Sequence, residues 1–320
     1  MNGDDRRRHA AIWTLAGLAA AGAAGGGLLH GAWQVGLSLL PAALPVAALL
    51  IAARNVARRG RGRLAGLLAA QAQIVALLWS FTLLSYVVAT LGRPLCDDVL
   101  IAADRALGLD WRTLSASMLR DPLAALALNL AYGGIGPQAA LVPPLLFAHG
   151  REGDAARFVL AGAVALAATV LISAFTPALG GYLHYGVRPE DAPRVLMPVA
   201  WRFVGHFAAA RAGDLSGVDP FILDGVVTFP SFHASAAILL AWACRNVRPW
   251  FWPVAVLNAL MWLSAIPIGG HYAVDVLAGS LVAILAILAT RERARRPEAG
   301  TRAAFGPVAP RGAGAPGGRS

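Results

Sequence analysis

Eight apolar stretches recur along the chain, at 10–30, 33–53, 64–91, 122–148, 156–180, 230–247, 250–268 and 271–290. Each approaches the roughly 20 helical residues that cross the ~30 Å hydrocarbon core of a bilayer. Pro41, Pro45, Pro137, Pro143, Pro144 and Pro253 fall inside three of them and make their limits approximate. A bundle of helices can satisfy the backbone groups that such prolines free. The pattern predicts an all-α, polytopic membrane helix bundle of about eight transmembrane helices. Two long polar connections, 92–121 and 181–229, fall on one side of it. The first two spans and their basic connection, 1–63, read as an accessory membrane hairpin. Residues 64–290 read as a compact six-helix core, and 291–320 as a disordered basic tail rich in Arg, Gly, Pro and Ala. Within 92–121 the apolar residues return at helical spacing beside charged ones, which predicts an amphipathic helix on the outer leaflet with Trp111 at the interface.

Composition agrees: 58% of residues are hydrophobic, and the mean hydropathy is +0.61. The net charge of +10 would suit nucleic acid, but its distribution argues for a membrane instead. All 27 basic residues are arginine. They gather before the first span (Arg6–Arg8), between the second and third (Arg54, Arg58, Arg59, Arg61, Arg63), after the fourth (Arg151, Arg157), after the sixth (Arg245, Arg248) and after the eighth. These positions alternate as the positive-inside rule requires, so both termini are expected in the cytoplasm and the two long loops outside, at an inner cell membrane. The expected partners are the bilayer and a phospholipid or sphingolipid-like substrate, not nucleic acid. The first span has features of a signal peptide, but the alternation favours its retention. Cys96 and Cys244 fall on opposite sides and cannot pair.

Two short runs at the mouths of apolar segments carry titratable groups. The first is Thr228-Phe-Pro-Ser-Phe-His-Ala-Ser235, opening the sixth span; Pro230 suits a first helical turn with Thr228 as its cap, and the free N–H groups there, with the Ser231 hydroxyl, make an anion site. The second is Gly270-His271-Tyr-Ala-Val-Asp275, opening the eighth. His271 and Asp275 are four residues apart, which on a helix places them on one face. A carboxylate bonded to one imidazole nitrogen leaves the other as a nucleophile. By the expected topology, His233, His271 and Asp275 share one depth at the outer face.

This layout resembles the type-2 phosphatidic acid phosphatase superfamily, in particular its branch of inositol phosphorylceramide synthases. Pro230-Ser231-Phe232-His233 is similar to the family's Pro-Ser-Gly-His motif, and Ser264, His271 and Asp275 fall at the spacings of its third motif. The resemblance implies a six-helix phosphatase-like core and a metal-independent lipid phosphatase or head-group phosphotransferase that uses no cofactor. It implies that His271 attacks phosphorus, Asp275 orients it and His233 protonates the leaving alcohol. Ser231, Ser264 and Gly270 would help hold the substrate.

Two departures shape the expected substrate. The third-motif arginine of the family falls at Ala265, and a chain without lysine cannot hold the lysine of its first motif. A phosphate monoester carries nearly two negative charges and a diester one, so a site short of cations favours diesters. Arg93, Arg188, Arg194, Arg202 and Arg211 are candidates to supply the missing charge from the outer loops, and with them a monoester phosphatase stays open. A proton-coupled transporter or lipid flippase using the same His/Asp set as a relay is the alternative; span interiors almost free of charge weigh against it. A metal site built from His233, His271 and Asp275 is a third, with no further ligand-rich cluster beside it.

Overall fold

Every element among the described residues is a helix. A computed structural model describes residues 3–31, 33–187, 199–215 and 225–291. Residues up to Thr290 form one compact unit, and the tail expected to be disordered lies, from residue 292 on, outside the described residues. The chain begins with α1 (Gly3–Leu29), α2 (Trp33–Leu37), α3 (Leu40–Arg58) and α4 (Gly62–Ala89). Next come α5 (Asp97–Ala106), α6 (Trp111–Met118), α7 (Pro122–Gly133), α8 (Ile135–Ala148) and α9 (Glu152–Ser173). After the short α10 (Gly181–His184) and α11 (Val199–Arg211), the chain ends in α12 (Phe232–Ala243), α13 (Arg248–Ser264) and α14 (Ala273–Ala289).

Three of these helices, α1, α4 and α9, are long and apolar enough to cross a membrane. A fourth span arises if α7 and α8, bent by 59°, are taken together. The prolines were expected to blur this span, yet Pro143 and Pro144 sit inside α8 and the break falls at Gly133-Gly134. The last helices are shorter: α12 has 12 residues, and α13 and α14 have 17 each. At 1.5 Å per residue, 17 residues reach about 26 Å, a little short of the hydrocarbon core. Leu281 and Leu285 on α14 and Trp252 on α13 are exposed, as helices in a membrane setting require.

Small residues let the helices close on one another, since little hydrophobic force acts between helices in lipid. On α9, Ala155, Ala161, Ala163 and Ala165 are fully buried in the main core. Gly22 and Gly26 of α1 lie against Leu84 and Val87 of α4, and at Gly26 a Cβ would overlap the valine. An equally tight contact joins α12 to α14: a Cβ on Gly279 would lie 2.1 Å from the Ser231 carbonyl oxygen. The Ser235 hydroxyl donates to the Gly279 carbonyl at 2.6 Å across the same seam.

The bundle has two unlike ends. At one, buried Asp154 opens α9 and accepts from Arg151, Arg157, Arg245 and Asn246, while Arg63 of α4 pairs with Glu152 at 2.6 Å. Arginines expected on one side of the membrane thus meet at one end of the bundle. The other end gathers α5, α6, α10 and the starts of α12 and α14. Here Trp111, expected at a lipid interface, is buried, stacked on Tyr185 with ring centroids 5.6 Å apart and edge-on to Tyr182. The amphipathic helix expected on the outer leaflet is likewise turned against protein: Leu100 and Ile101 of α5 are buried beside Tyr272 and Val276. Two carboxylates on the same helix explain the difference, because their partners lie in the bundle.

Candidate active site

His233 is the second residue of α12, whose N-cap is Ser231. The Ser231 hydroxyl accepts the Ala234 N–H at 3.3 Å, and the Ser231 N–H donates to the Asp275 carbonyl at 3.0 Å. The capping bond fixes where the helix starts, and the second bond ties that start to the first turn of α14. The His233 ring lies flat on Tyr132 of α7.

His271 sits in the turn between α13 and α14. Its own N–H donates to the Ala265 carbonyl at 3.1 Å. Tyr182 donates its hydroxyl to the Pro267 carbonyl, and the Gly181 N–H donates to the Gly270 carbonyl at 2.8 Å. Gly270 needs to be glycine twice over: its φ is +71°, and a Cβ would meet the Tyr182 ring at 2.8 Å. Asp275 is wholly buried, and its Oδ2 accepts the Tyr272 N–H at 2.9 Å. The same oxygen stands 3.4 Å from His271 Nδ1, close enough for an ion pair though not aligned as a hydrogen bond. Of the two ring nitrogens, Nδ1 is thus the one that faces the carboxylate.

Both histidines border one cavity of about 400 Å³. Its other walls come from α4 (Leu77, Phe81), α8 (Ile135, Gly136), α9 (Phe158, Gly162, Leu166) and the body of α12 (Leu239, Leu240), with Thr228 and Phe203 also lining it. No arginine lines it among the described residues. The space is therefore an apolar slot with two imidazoles on its wall. Among the described residues no group of three His, Cys, Asp or Glu is disposed to hold a metal ion, His233, His271 and Asp275 included.

The other residues expected at the site fall differently. Ser264 closes α13, is fully buried and donates its hydroxyl to the Met261 carbonyl at 2.7 Å. Neither Ser231, Ser264 nor Gly270 lines the cavity, although Gly269 does. Arg93 is exposed, its guanidinium 4.8 Å over the Phe175 ring and its carbonyl accepting from Arg211. Arg188 and Arg194 lie outside the described residues, and Arg202 is placed only by its backbone in α11, its side chain lying outside them.

Three contributors were not singled out from the sequence. Tyr132 is one; an aromatic residue beside the Gly133-Gly134 break is the only cue to it. Asp97 and Asp104 are the others. Asp97 accepts the Leu179 and Gly180 N–H groups and the Tyr272 hydroxyl, and Asp104 accepts the Ala273 and Val274 N–H groups. Burial raises the Asp104 pKa above the usual carboxylate range, and its two amide partners pull it part of the way back. Their signal in sequence was present: two aspartates seven residues apart on the side of α5 that also carries Leu100 and Ile101.

Comparison with known protein families matches residues 98–289, more than half of the chain, to the PAP2 superfamily. No curated protein and no solved structure matches.

Proposed function

The chain belongs to the PAP2 superfamily, whose members are phosphatases acting on phosphate esters, and from that premise we propose an integral membrane enzyme for lipid phosphates working through a phosphohistidine. His271 Nε2 attacks phosphorus as the bond to the lipid alcohol breaks, and protonated His233 delivers its proton to the departing oxygen. Neutral His233 then takes a proton from the acceptor, water or a second alcohol, whose oxygen displaces His271. Asp275 holds the His271 ring by Nδ1 and balances the charge that forms on it. No metal or cofactor takes part. First-turn amides of α12 beside Ser231 receive the phosphate oxygens, and Ser264 and Gly270 shape the turn that presents His271.

The observation that carries this reading is that His233 and His271, 38 positions apart in sequence, border one apolar cavity, with Asp275 at 3.4 Å behind the second. The absence of arginine from the described lining supports the finer assignment. It favours a singly charged phosphodiester and transfer of a head group to a lipid alcohol, as in the inositol phosphorylceramide synthase branch. We read the arginine-rich end as cytoplasmic and the histidine end as facing the exterior. The eight-span layout then follows, with α12, α13 and α14 as short spans lengthened by the turns beside them.

The test is product identification. Purified protein is incubated with phosphatidic acid and with a phosphodiester lipid, each with and without a lipid alcohol. A new phospholipid formed only when alcohol is present supports head-group transfer. Free phosphate from phosphatidic acid alone makes the protein a monoester phosphatase, and no turnover of any ester removes the reading.

A further inference from the structure

Asp97 and Asp104 are buried carboxylates that take no part in the two histidine motifs. A buried carboxylate is costly unless hydrogen-bonded, so the partners of each say what it does. Two turns of helix separate them, which places both on one face of α5. From that face Asp104 takes the Ala273 N–H at 2.9 Å and the Val274 N–H at 2.8 Å. Asp97 takes the Tyr272 hydroxyl at 2.8 Å. Three consecutive residues, directly after His271 and directly before Asp275, are therefore tied to a helix from a distant part of the chain.

The start of α14 depends on this tie. Most helices cap themselves with Ser, Thr, Asp or Asn at the N-cap position. Here that position is Tyr272, whose hydroxyl is engaged with Asp97. Asp275 of the same helix accepts the Tyr272 N–H in a capping box, and the next two N–H groups, of Ala273 and Val274, are met by a carboxylate brought from α5, with a charge that also suits the positive end of the helix dipole. Asp97 joins the same helix to the Leu179 and Gly180 amides, and next to these the Gly181 N–H meets the Gly270 carbonyl at 2.8 Å. The turn carrying His271 is gripped on both flanks from one rigid helix.

We propose that Asp104 is a positioning residue for the nucleophile, with Asp97 as its partner. By fixing the first turn of α14, Asp104 sets Asp275 against His271 Nδ1 and so aims Nε2 at the cavity. The contact it governs is 3.4 Å long, and a displacement of about 1 Å in such a pair costs on the order of 100-fold in rate. This inference rests on the reading of His271 as the nucleophile.

The experiment compares full-length wild type with Asp104→Asn in detergent micelles, per mole of monodisperse protein. The probes are phosphatidic acid paired with p-nitrophenyl phosphate, and phosphatidylinositol paired with bis(p-nitrophenyl) phosphate. p-Nitrophenolate leaves without a proton, so a defect in the acid His233 is rescued by these esters and a defect in aiming the nucleophile is not. The expected result is a kcat about 10- to 100-fold lower on lipid and p-nitrophenyl ester alike, with KM unchanged. Wild-type kcat, or a loss confined to the lipid probes, overturns the proposal. Should Asp104→Asn fail to fold, Ala273→Pro cuts the same tie from the other side. Proline is favoured at the first helical position, and Tyr272 already has the extended backbone that must precede it, with ψ at 157°. The same loss is expected there, and wild-type kcat again overturns the proposal. A wild-type protein that turns over none of the four probes fails the phosphohistidine reading itself. An active wild type with an unaffected variant fails this inference alone.

Discussion

The imidazole of His233 lies flat against the phenol ring of Tyr132, with ring centroids 3.8 Å apart and planes within 10° of parallel. In the proposed mechanism the His233 ring hands a proton to the leaving oxygen. The contact is made across elements, from the kinked end of α7 to the first turn of α12. Stacked pairs of this kind contribute about 0.5–1.5 kcal/mol beyond their buried area. Tyr132→Leu should therefore lower turnover by about 3- to 10-fold on lipid esters, and Tyr132→Phe, which keeps the ring, by less. Steady-state kinetics on the two variants check it.

His233→Ala should remove about 10² to 10⁴ of the rate on a lipid ester, the range of general acid catalysis. On a p-nitrophenyl ester most of that loss should disappear. His271→Ala should be inactive on both, because no nucleophile is left. Parallel assays of the two variants separate the roles.

The slot beside the histidines should read the length of the apolar chain. A Cβ on Gly162 meets nothing within 4 Å, so a larger side chain there grows into open space and not into a neighbour. Gly162→Leu is expected to fold as the wild type does. Its kcat/KM should fall about 10-fold for a long-chain lipid, the worth of about one to two buried methylenes, and stay unchanged for a short-chain ester. Equal losses on both would place the chain elsewhere.

The α12–α14 seam should be intolerant of any side chain. Gly279→Ala would place its Cβ 2.1 Å from the Ser231 carbonyl oxygen. Overpacking of this kind costs about 1–3 kcal/mol, so the melting temperature in detergent should drop by several degrees. Activity should fall with it, since Ser231 and Asp275 meet at the same seam.

Much of the architecture was legible because apolar stretches and arginine clusters are one-dimensional signals. The helices fall close to the stretches read from the chain, and Arg63, Arg151, Arg157 and Arg245 do gather at one end. His233 and His271 were legible for a similar reason: a polar titratable group at the mouth of an apolar segment stands out. What escaped was whatever depends on a partner far along the chain. Nothing near Asp104 in sequence announces that it caps α14, and nothing near Tyr132 announces His233. Helical periodicity marked α5 as amphipathic, but the lipid leaflet assigned to its apolar face was the wrong cover, since protein buries Leu100 and Ile101. The prolines of the fourth stretch were expected to blur its limits, and no signal marked the α7–α8 bend, which occurs at adjacent glycines. Ser231 shows the same limit from the other side. Pro230 was expected in the first turn, which would put Ser231 inside the helix, whereas Ser231 precedes α12 as its N-cap and its hydroxyl accepts the Ala234 N–H.

The most direct test of the account is to trap the covalent intermediate. Enzyme is quenched with alkali during turnover of a lipid phosphate ester, and phosphopeptides are mapped by mass spectrometry without exposure to acid. The account predicts an acid-labile phosphoryl group on His271, absent from His271→Ala and accumulating when His233→Ala turns over a p-nitrophenyl ester. Turnover with no phosphohistidine, or with the phosphoryl group on any other residue, would contradict it.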